Sequence, residues 1–206
     1  MEHTGFHTLS TTEIAPAAEV ISWAFYYDPL CAFMLPSERS RLKTLLKFFR
    51  AYCQVNIQNK QGYGVGEPLK GVAFWLEPNR PDLSVNLRSL GIFLPILFSP
   101  YALGYIRARR VLKQVDGLHQ KYAPEPHFYL DNIGVLPAEQ GRGYSSGLIR
   151  PFLEKADQEK VSVYTDTVTE RNASFYEHFG FECVEESPVE GTGITIWALC
   201  RPVQNV

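Results

Sequence analysis

The sequence predicts a mixed α/β (α+β) fold on three observations. Strand-like and helix-like stretches alternate along the chain, and no stretch is an internal repeat or a low-complexity linker. The 206 residues are about the length of one ordinary domain and are enough to bury a core, so 1–206 is expected to be a single domain.

The elements follow in order. The segment FHTLS, from Phe6, reads as a first strand. TTEIAPAAEVISWAFYY reads as an amphipathic helix opened by Thr11 or Thr12, with Ile14, Ala18, Ile21, Trp23 and Phe25 as apolar positions. Asp28-Pro29 breaks it. A second helix opens at Ser37, a residue suited to an N-cap, and buries Leu42, Leu45, Leu46 and Phe49. GYGVG and KGVAFWLEP are expected to form a hairpin separated at Glu67-Pro68.

From Ser89 to Ile106 the chain carries no charge and ends against Arg107, Arg109 and Arg110. Its length touches the lower limit of a membrane span. Pro95 and Pro100 would interrupt such a helix, and Gly91, Ser99 and Gly104 weaken it further. Two short helices joined near Pro100, lining or capping an apolar cavity, fit better. A further helical stretch reaches about Tyr122, and HFYLDNIGV is the next strand. VSVYTDTV, a short helix from Asn172, FECVEES and ITIWALCRP complete the chain.

Composition excludes some functions. Twenty basic and twenty-two acidic residues give a net charge of -2 with no block of either sign, so nucleic acid finds no electrostatic footprint. Cys31, Cys53, Cys183 and Cys200 have neither C-x-x-C spacing nor a histidine pairing that suggests metal, and read as reduced thiols of a cytoplasmic protein. The opening MEHTGFHTLSTTEI lacks the basic and apolar regions of a signal peptide.

The most informative stretch is EQGRGYSSGLIRPFLEKADQEK, from Glu139 to Lys160, where glycines and serines precede an apolar periodic run. A strand entering a tight glycine turn and then a helix leaves unpaired N–H groups at the helix start. With the positive end of the helix dipole they favour an anion, and side chains at Gly141 or Gly143 would obstruct a phosphate. Leu148, Ile149, Phe152, Leu153 and Ala156 form the stripe that anchors the helix, while Pro151 should distort one turn. A Walker lysine is missing, and the glycine spacing does not fit a dinucleotide turn.

Gln140-Gly141-Arg142-Gly143-Tyr144-Ser145 resembles the Q/R-x-x-G-x-G/A turn of the GCN5-related N-acetyltransferases (GNAT), with Ser145 in place of the last glycine or alanine. ERNASFYEHFGFE resembles that family's second block, and TGITIWALCR its closing strand. The likeness is strongest from His127 to Pro202, and with Pro151 it is similar to the branch of puromycin N-acetyltransferase.

This resemblance implies a GNAT fold: a mostly antiparallel twisted sheet, splayed at the cofactor site, with helices on both faces. It implies an acceptor-side half of about 1–126 and an acetyl-CoA-binding core of about 127–202. The activity implied is transfer of the acetyl group of acetyl-CoA to a primary amine of a small molecule, in a ternary complex. The pantetheine arm would lie along Ile133, Gly134 and Val135, where that strand splays from the one around Val163. The pyrophosphate would meet Gln140, Gly141, Arg142, Gly143, Tyr144, Ser145 and Ser146, and Asn172 and Tyr176 would complete the cofactor side.

Tyr176 matches the family's general acid, and a phenol with an ordinary pKa near ~10 is protonated at neutral pH. It also fits as an aromatic packed on Phe175 and Phe179, and Asn172 also fits as a helix N-cap. His127, Tyr129 and Asp131 alternate on one face of a strand that runs into the bulge-prone DNIG. Asp131 is the first choice of base, acting directly or through water, and Glu77 is the second. An acceptor pocket is expected from Trp23 to Pro29, from CAFMLP and from Phe93 to Tyr105, apolar with few polar anchors. The expected assembly is a monomer or homodimer without a membrane role. A non-catalytic acyl-CoA sensor is the alternative.

Overall fold

The computed structural model describes residues 5–78, 100–123 and 126–204. Its strands are β1 (His7–Thr8), β2 (Gly62–Val65), β3 (Gly71–Leu76), β4 (His127–Val135), β5 (Ser162–Thr167), β6 (Glu182–Val189) and β7 (Ile194–Arg201). Its helices are α1 (Ile14–Ala24), α2 (Pro29–Met34), α3 (Glu38–Gln58), α4 (Pro100–Tyr122), α5 (Tyr144–Glu159) and α6 (Glu170–Glu177). The seven strands form one sheet in the order β1-β2-β3-β4-β5-β7-β6. Every neighbouring pair is antiparallel except β4 and β5, which α5 joins by the crossover a parallel pair requires. This is the mixed sheet with helices on both faces that the sequence implied.

Period-two alternation decides which helices cover which face. On one face Ala73, Trp75, Phe128, Leu130 and Val163 form a cluster with the α5 stripe Leu148, Ile149, Phe152, Leu153 and Ala156. On the other, Val72 and Phe74 meet α1 and α3, while Tyr164, Ile196 and Ala198 meet Val111 and Leu118 of α4. Leu30 and Phe33 of α2 pack against both of these last two clusters and so bridge them. Gly134 is glycine because α1 presses on the sheet there: a Cβ would stand 2.7 Å from the Cβ of Ala24.

Several boundaries differ from the sequence reading for local reasons. The first helix begins in a capping box between Ser10 and Glu13, so Ser10, not Thr11 or Thr12, is the cap, and a 3-10 turn leads into α1. Trp23 is 38% exposed, and the buried stripe is Ala17, Ala18 and Ile21. Asp28-Pro29 ends one helix and starts another: the Asp28 carboxylate accepts the Cys31 N–H at 3.0 Å, and Pro29 suits a first helical turn. Pro100 likewise opens a helix that runs to Tyr122, so the stretch from Pro100 to Ile106 and the further helical stretch are one element. The remainder of the uncharged segment, Ser89 to Ser99, lies outside the described residues, as does the Phe93 end of the expected pocket wall. Among the described residues no helix is long and apolar enough to cross a membrane.

Candidate active site

The central feature is a gap between β4 and β5. Their ladder pairs only His127 to Tyr129 with Ser162 to Tyr164, and then the strands part. Where they separate, the Thr165 hydroxyl donates to the Leu130 carbonyl at 2.9 Å, satisfying the first acceptor the ladder has abandoned. From Asp131 to Val135, β4 keeps β3 on one side and has no partner strand among the described residues on the other. Ile133, Gly134 and Val135 therefore line an open strand edge, as the resemblance implied.

The same strand carries a bulge. Phe74 pairs with Asn132 and Trp75 with Leu130, leaving Asp131 as the extra residue. Asp131 and Asn132 consequently both reach Tyr52 of α3. The Tyr52 hydroxyl donates a short hydrogen bond to Asp131 and accepts one from the Asn132 amide at 3.1 Å. Burial, followed by the Asp131 charge, pushes the Tyr52 phenol well above its ordinary pKa, so it remains a donor.

Beyond β4, the turn Pro137–Glu139 leads to Gln140, whose side-chain amide donates to the Val135 carbonyl at 3.4 Å. Gly141 and Gly143 have φ of 77° and 85°, a left-handed backbone that side chains strain. Gly143 is the N-cap of α5, and no side chain caps that end. Its carbonyl takes the N–H of Gly147, so the N–H groups of Tyr144, Ser145 and Ser146 begin the helix without intrahelical acceptors. Arg142 forms a 3.0 Å ion pair with Glu139, which also holds Lys70 at 3.1 Å. A groove of about 420 Å³ lies beside this end, lined by Ser146, Arg150, Arg171, Phe175 and Phe179. Helix α5 runs through Pro151, and the Leu148 carbonyl, in that interrupted turn, accepts the Trp75 indole N–H at 3.2 Å.

Tyr176 is buried in the α5-side core against Phe175 and Phe181, with Thr165 beside its hydroxyl. Burial is the main cause that raises its pKa. The ring is core, and the hydroxyl lies toward Thr165, the side chain that closes the β4–β5 ladder. Asn172 is not the N-cap of its helix. Thr169 caps α6 and accepts the Asn172 N–H, while the exposed Asn172 amide reaches Thr167 of β5 at 3.3 Å. Glu77 is drawn from the gap by Lys155 of α5 at 2.6 Å and by the Tyr63 hydroxyl at 3.2 Å.

Two side chains that sequence reasoning passed over stand at the gap. One is Tyr52 of α3, whose hydroxyl meets Asp131 and Asn132. The other is Asp166 of β5, whose carboxylate accepts the Tyr129 hydroxyl at 3.1 Å. Burial is the first cause of an Asp166 pKa pushed up to about 7; the Tyr129 bond opposes it, and the Asp131 and Asp116 charges add to it. Its signal was available: alternation places Asp166 with Tyr164 on the face of Tyr129.

A family model described as Acetyltransferase (GNAT) family matches residues 71–181. An uncharacterized N-acetyltransferase of Schizosaccharomyces pombe is 29% identical over 186 residues, covering 80% of this chain and 69% of that protein. A Corynebacterium glutamicum structure described as histone acetyltransferase HPA2 and related acetyltransferase is similar with a TM-score of 0.64 at 18% identity, over 98% of this chain and 97% of the other. Arylalkylamine N-acetyltransferase 2 from Aedes aegypti is similar with a TM-score of 0.60 at 14% identity, over 97% and 98%. Both structural likenesses are of fold.

Proposed function

Because the chain belongs to the GNAT family of acetyltransferases, acetyl-CoA-dependent N-acyltransferases, we propose that it carries acetyl from acetyl-CoA directly to the primary amine of a small molecule. Both substrates are bound at once, and residues 1–206 act as one catalytic domain. The observation that carries this reading is the open edge of β4, which leads through the glycine turn to the uncapped start of α5.

The residues fit acetyl-CoA. The backbone of Ile133 to Val135 offers the pantetheine amides the ladder bonds that β5 no longer makes. The N–H groups from Tyr144 to Ser146, at the positive end of a helix dipole, suit the pyrophosphate. Arg150 and Arg171, among the rings of Phe175 and Phe179, suit the nucleotide end. The cosubstrate supplies an activated thioester. Tyr176, beside Thr165 and protonated, donates a proton to the departing sulfur. Asp131, fixed by Tyr52, receives the acceptor's ammonium directly or through water.

A small apolar acceptor is supported by the walls on Asp131's face: Tyr52 stands against Phe48 and Phe74, and α2 lays Leu30 and Phe33 across that face. The likeness to the puromycin N-acetyltransferase branch points the same way. Four unpaired cysteines support a reducing, cytoplasmic setting. The test is release of CoA thiol from acetyl-CoA across a panel of small amines, with a basic peptide included. Turnover of amines carrying an apolar body is expected, and turnover of the peptide alone would overturn the choice of acceptor.

A further inference from the structure

We infer that Asp166 takes the proton from the acceptor ammonium, that Tyr129 positions it, and that Asp131 serves as the anion binding the ammonium; the inference rests on the acetyl-transfer reading above.

The argument begins with register. Tyr129 and Tyr164 form the last pair before β4 and β5 part, and each strand carries an aspartate two residues further on, Asp131 and Asp166. The two acids thus flank the mouth of the gap, on the sheet face away from α5 and α6. They are near enough for the Asp131 charge to act on Asp166. An amine entering between them meets the open β4 edge, where the thioester would lie.

The carboxylates differ in what holds them. The Tyr52 hydroxyl donates to Oδ2 of Asp131, from a phenol kept protonated by burial. Asp166 accepts the Tyr129 hydroxyl at Oδ1 and has no hydrogen bond to Oδ2 among the described residues. That oxygen is available to a proton. The carboxyl is also poised at about 7, between an ordinary carboxylate and an amine, where a base can both accept and release at neutral pH. Two acids pushed into different environments, one binding and one titrating, are a recurring way to divide such roles.

The groups facing Asp166 are Tyr129 and Asp131 of β4, Tyr164 of its own strand, and Asp116 and His119 of α4, while its charge also acts through the sheet on Tyr176 of α6. Tyr52 of α3 reaches it only through Asp131, and Cys200 of β7 and Glu185 of β6 through Tyr164. Among these described groups only His119, stacked on Tyr164 at 4.8 Å between ring centroids, can become a cation.

The step balances. Asp166 accepts one proton from the ammonium, leaving a neutral amine. Nitrogen then bonds to the thioester carbon, the carbon–sulfur bond breaks, and its electron pair stays on sulfur. Tyr176 protonates the sulfur and recovers the second proton lost by nitrogen. Asp166 returns the first to solvent.

The experiment compares wild type with D166N, D131N and Y129F. In wild type without substrates, carbon-13 NMR of the Asp166 carboxyl should show titration near pH 7. The acidic limb of kcat/KM, which reports the free enzyme, should include a group with the same midpoint. D166N should lower kcat by roughly 10²–10⁴-fold, abolish that limb and leave the acetyl-CoA-induced rise in Tm intact. D131N should chiefly raise KM for the amine. Y129F removes a donor that favours the charged carboxylate and should move the limb to higher pH. An active wild type whose D166N variant keeps both kcat and limb overturns the role of Asp166. A wild type that binds acetyl-CoA but acetylates no amine overturns the acetyl-transfer reading instead.

Discussion

The Thr165 hydroxyl donates to the Leu130 carbonyl at 2.9 Å, at the residue where β5 stops pairing with β4. One side chain thereby replaces a ladder bond at the apex of the gap. Thr165→Val keeps the shape and leaves a buried carbonyl without a donor. Unfolding measurements should show a loss of about 1–3 kcal/mol, the usual penalty for such a group. Turnover should also fall, because Tyr176 loses its hydroxyl neighbour.

Gly143 sits at φ 85° as the N-cap of α5. Gly143→Val places a branched side chain in a left-handed backbone and across the free N–H groups. Acetyl-CoA should raise the Tm of wild type but not of this variant. Ser145→Gly, in contrast, should change CoA affinity by no more than about 1 kcal/mol, the net worth of one hydrogen bond.

Tyr176→Phe keeps the ring that packs on Phe175 and Phe181 and removes only the hydroxyl. Acetyl-CoA binding should persist while kcat falls roughly 10²–10⁴-fold. Since burial raises the phenol's pKa above its ordinary value of ~10, the hydroxyl remains protonated through neutral and mildly alkaline pH. The wild-type rate should therefore show no alkaline decline from this group below about pH 10. Equal turnover in mutant and wild type would remove the proton-donor role.

Arg201 of β7 holds Asp157 of α5 through two bonds of 2.8 and 2.7 Å, and the side chains are 5% and 9% exposed. Arg201 is the first cause that lowers the Asp157 pKa, so the folded chain binds this proton less readily than the unfolded chain. The resulting stability is present above the unfolded value of about 4 and disappears as pH falls through the lower folded value. Asp157→Ala leaves a buried guanidinium and should cost about 3–5 kcal/mol at pH 7. The gap between variant and wild type in urea midpoint should narrow in acid below that window.

Legibility in the sequence followed the range of the interactions. The glycine turn and the α5 stripe were readable because caps, helix period and positive-φ residues are local signals. α2 was not: PLCAFM is too short and too uniformly apolar to show a period, and its role as a bridge depends on elements distant in sequence. The gap came from family resemblance, since no periodicity marks where two strands part. Asp166 in VSVYTDTV shares a face with Tyr164 by alternation, but that this face borders the gap depends on where β4 and β5 part. The bulge could be anticipated at DNIG, but the pairing of Asp131 with Tyr52 joins residues 79 apart in the chain.

β4 gives its two sides to different halves of the chain: Phe128 and Leu130 face α5, while Asn132 and Gly134 face α3 and α1. Such a division lets natural selection act on them separately. Substitutions in α1, α2 and α3 reshape what lies over Asp131 without altering the turn at Gly141 and Gly143. If acetyl transfer proceeds as proposed, one copy can after gene duplication acquire a new acceptor while retaining the inherited thioester machinery. Divergence of substrate within such a lineage should accumulate before residue 60 and spare residues 133–146, so exchange of the N-terminal helices between paralogues becomes a natural route to altered specificity.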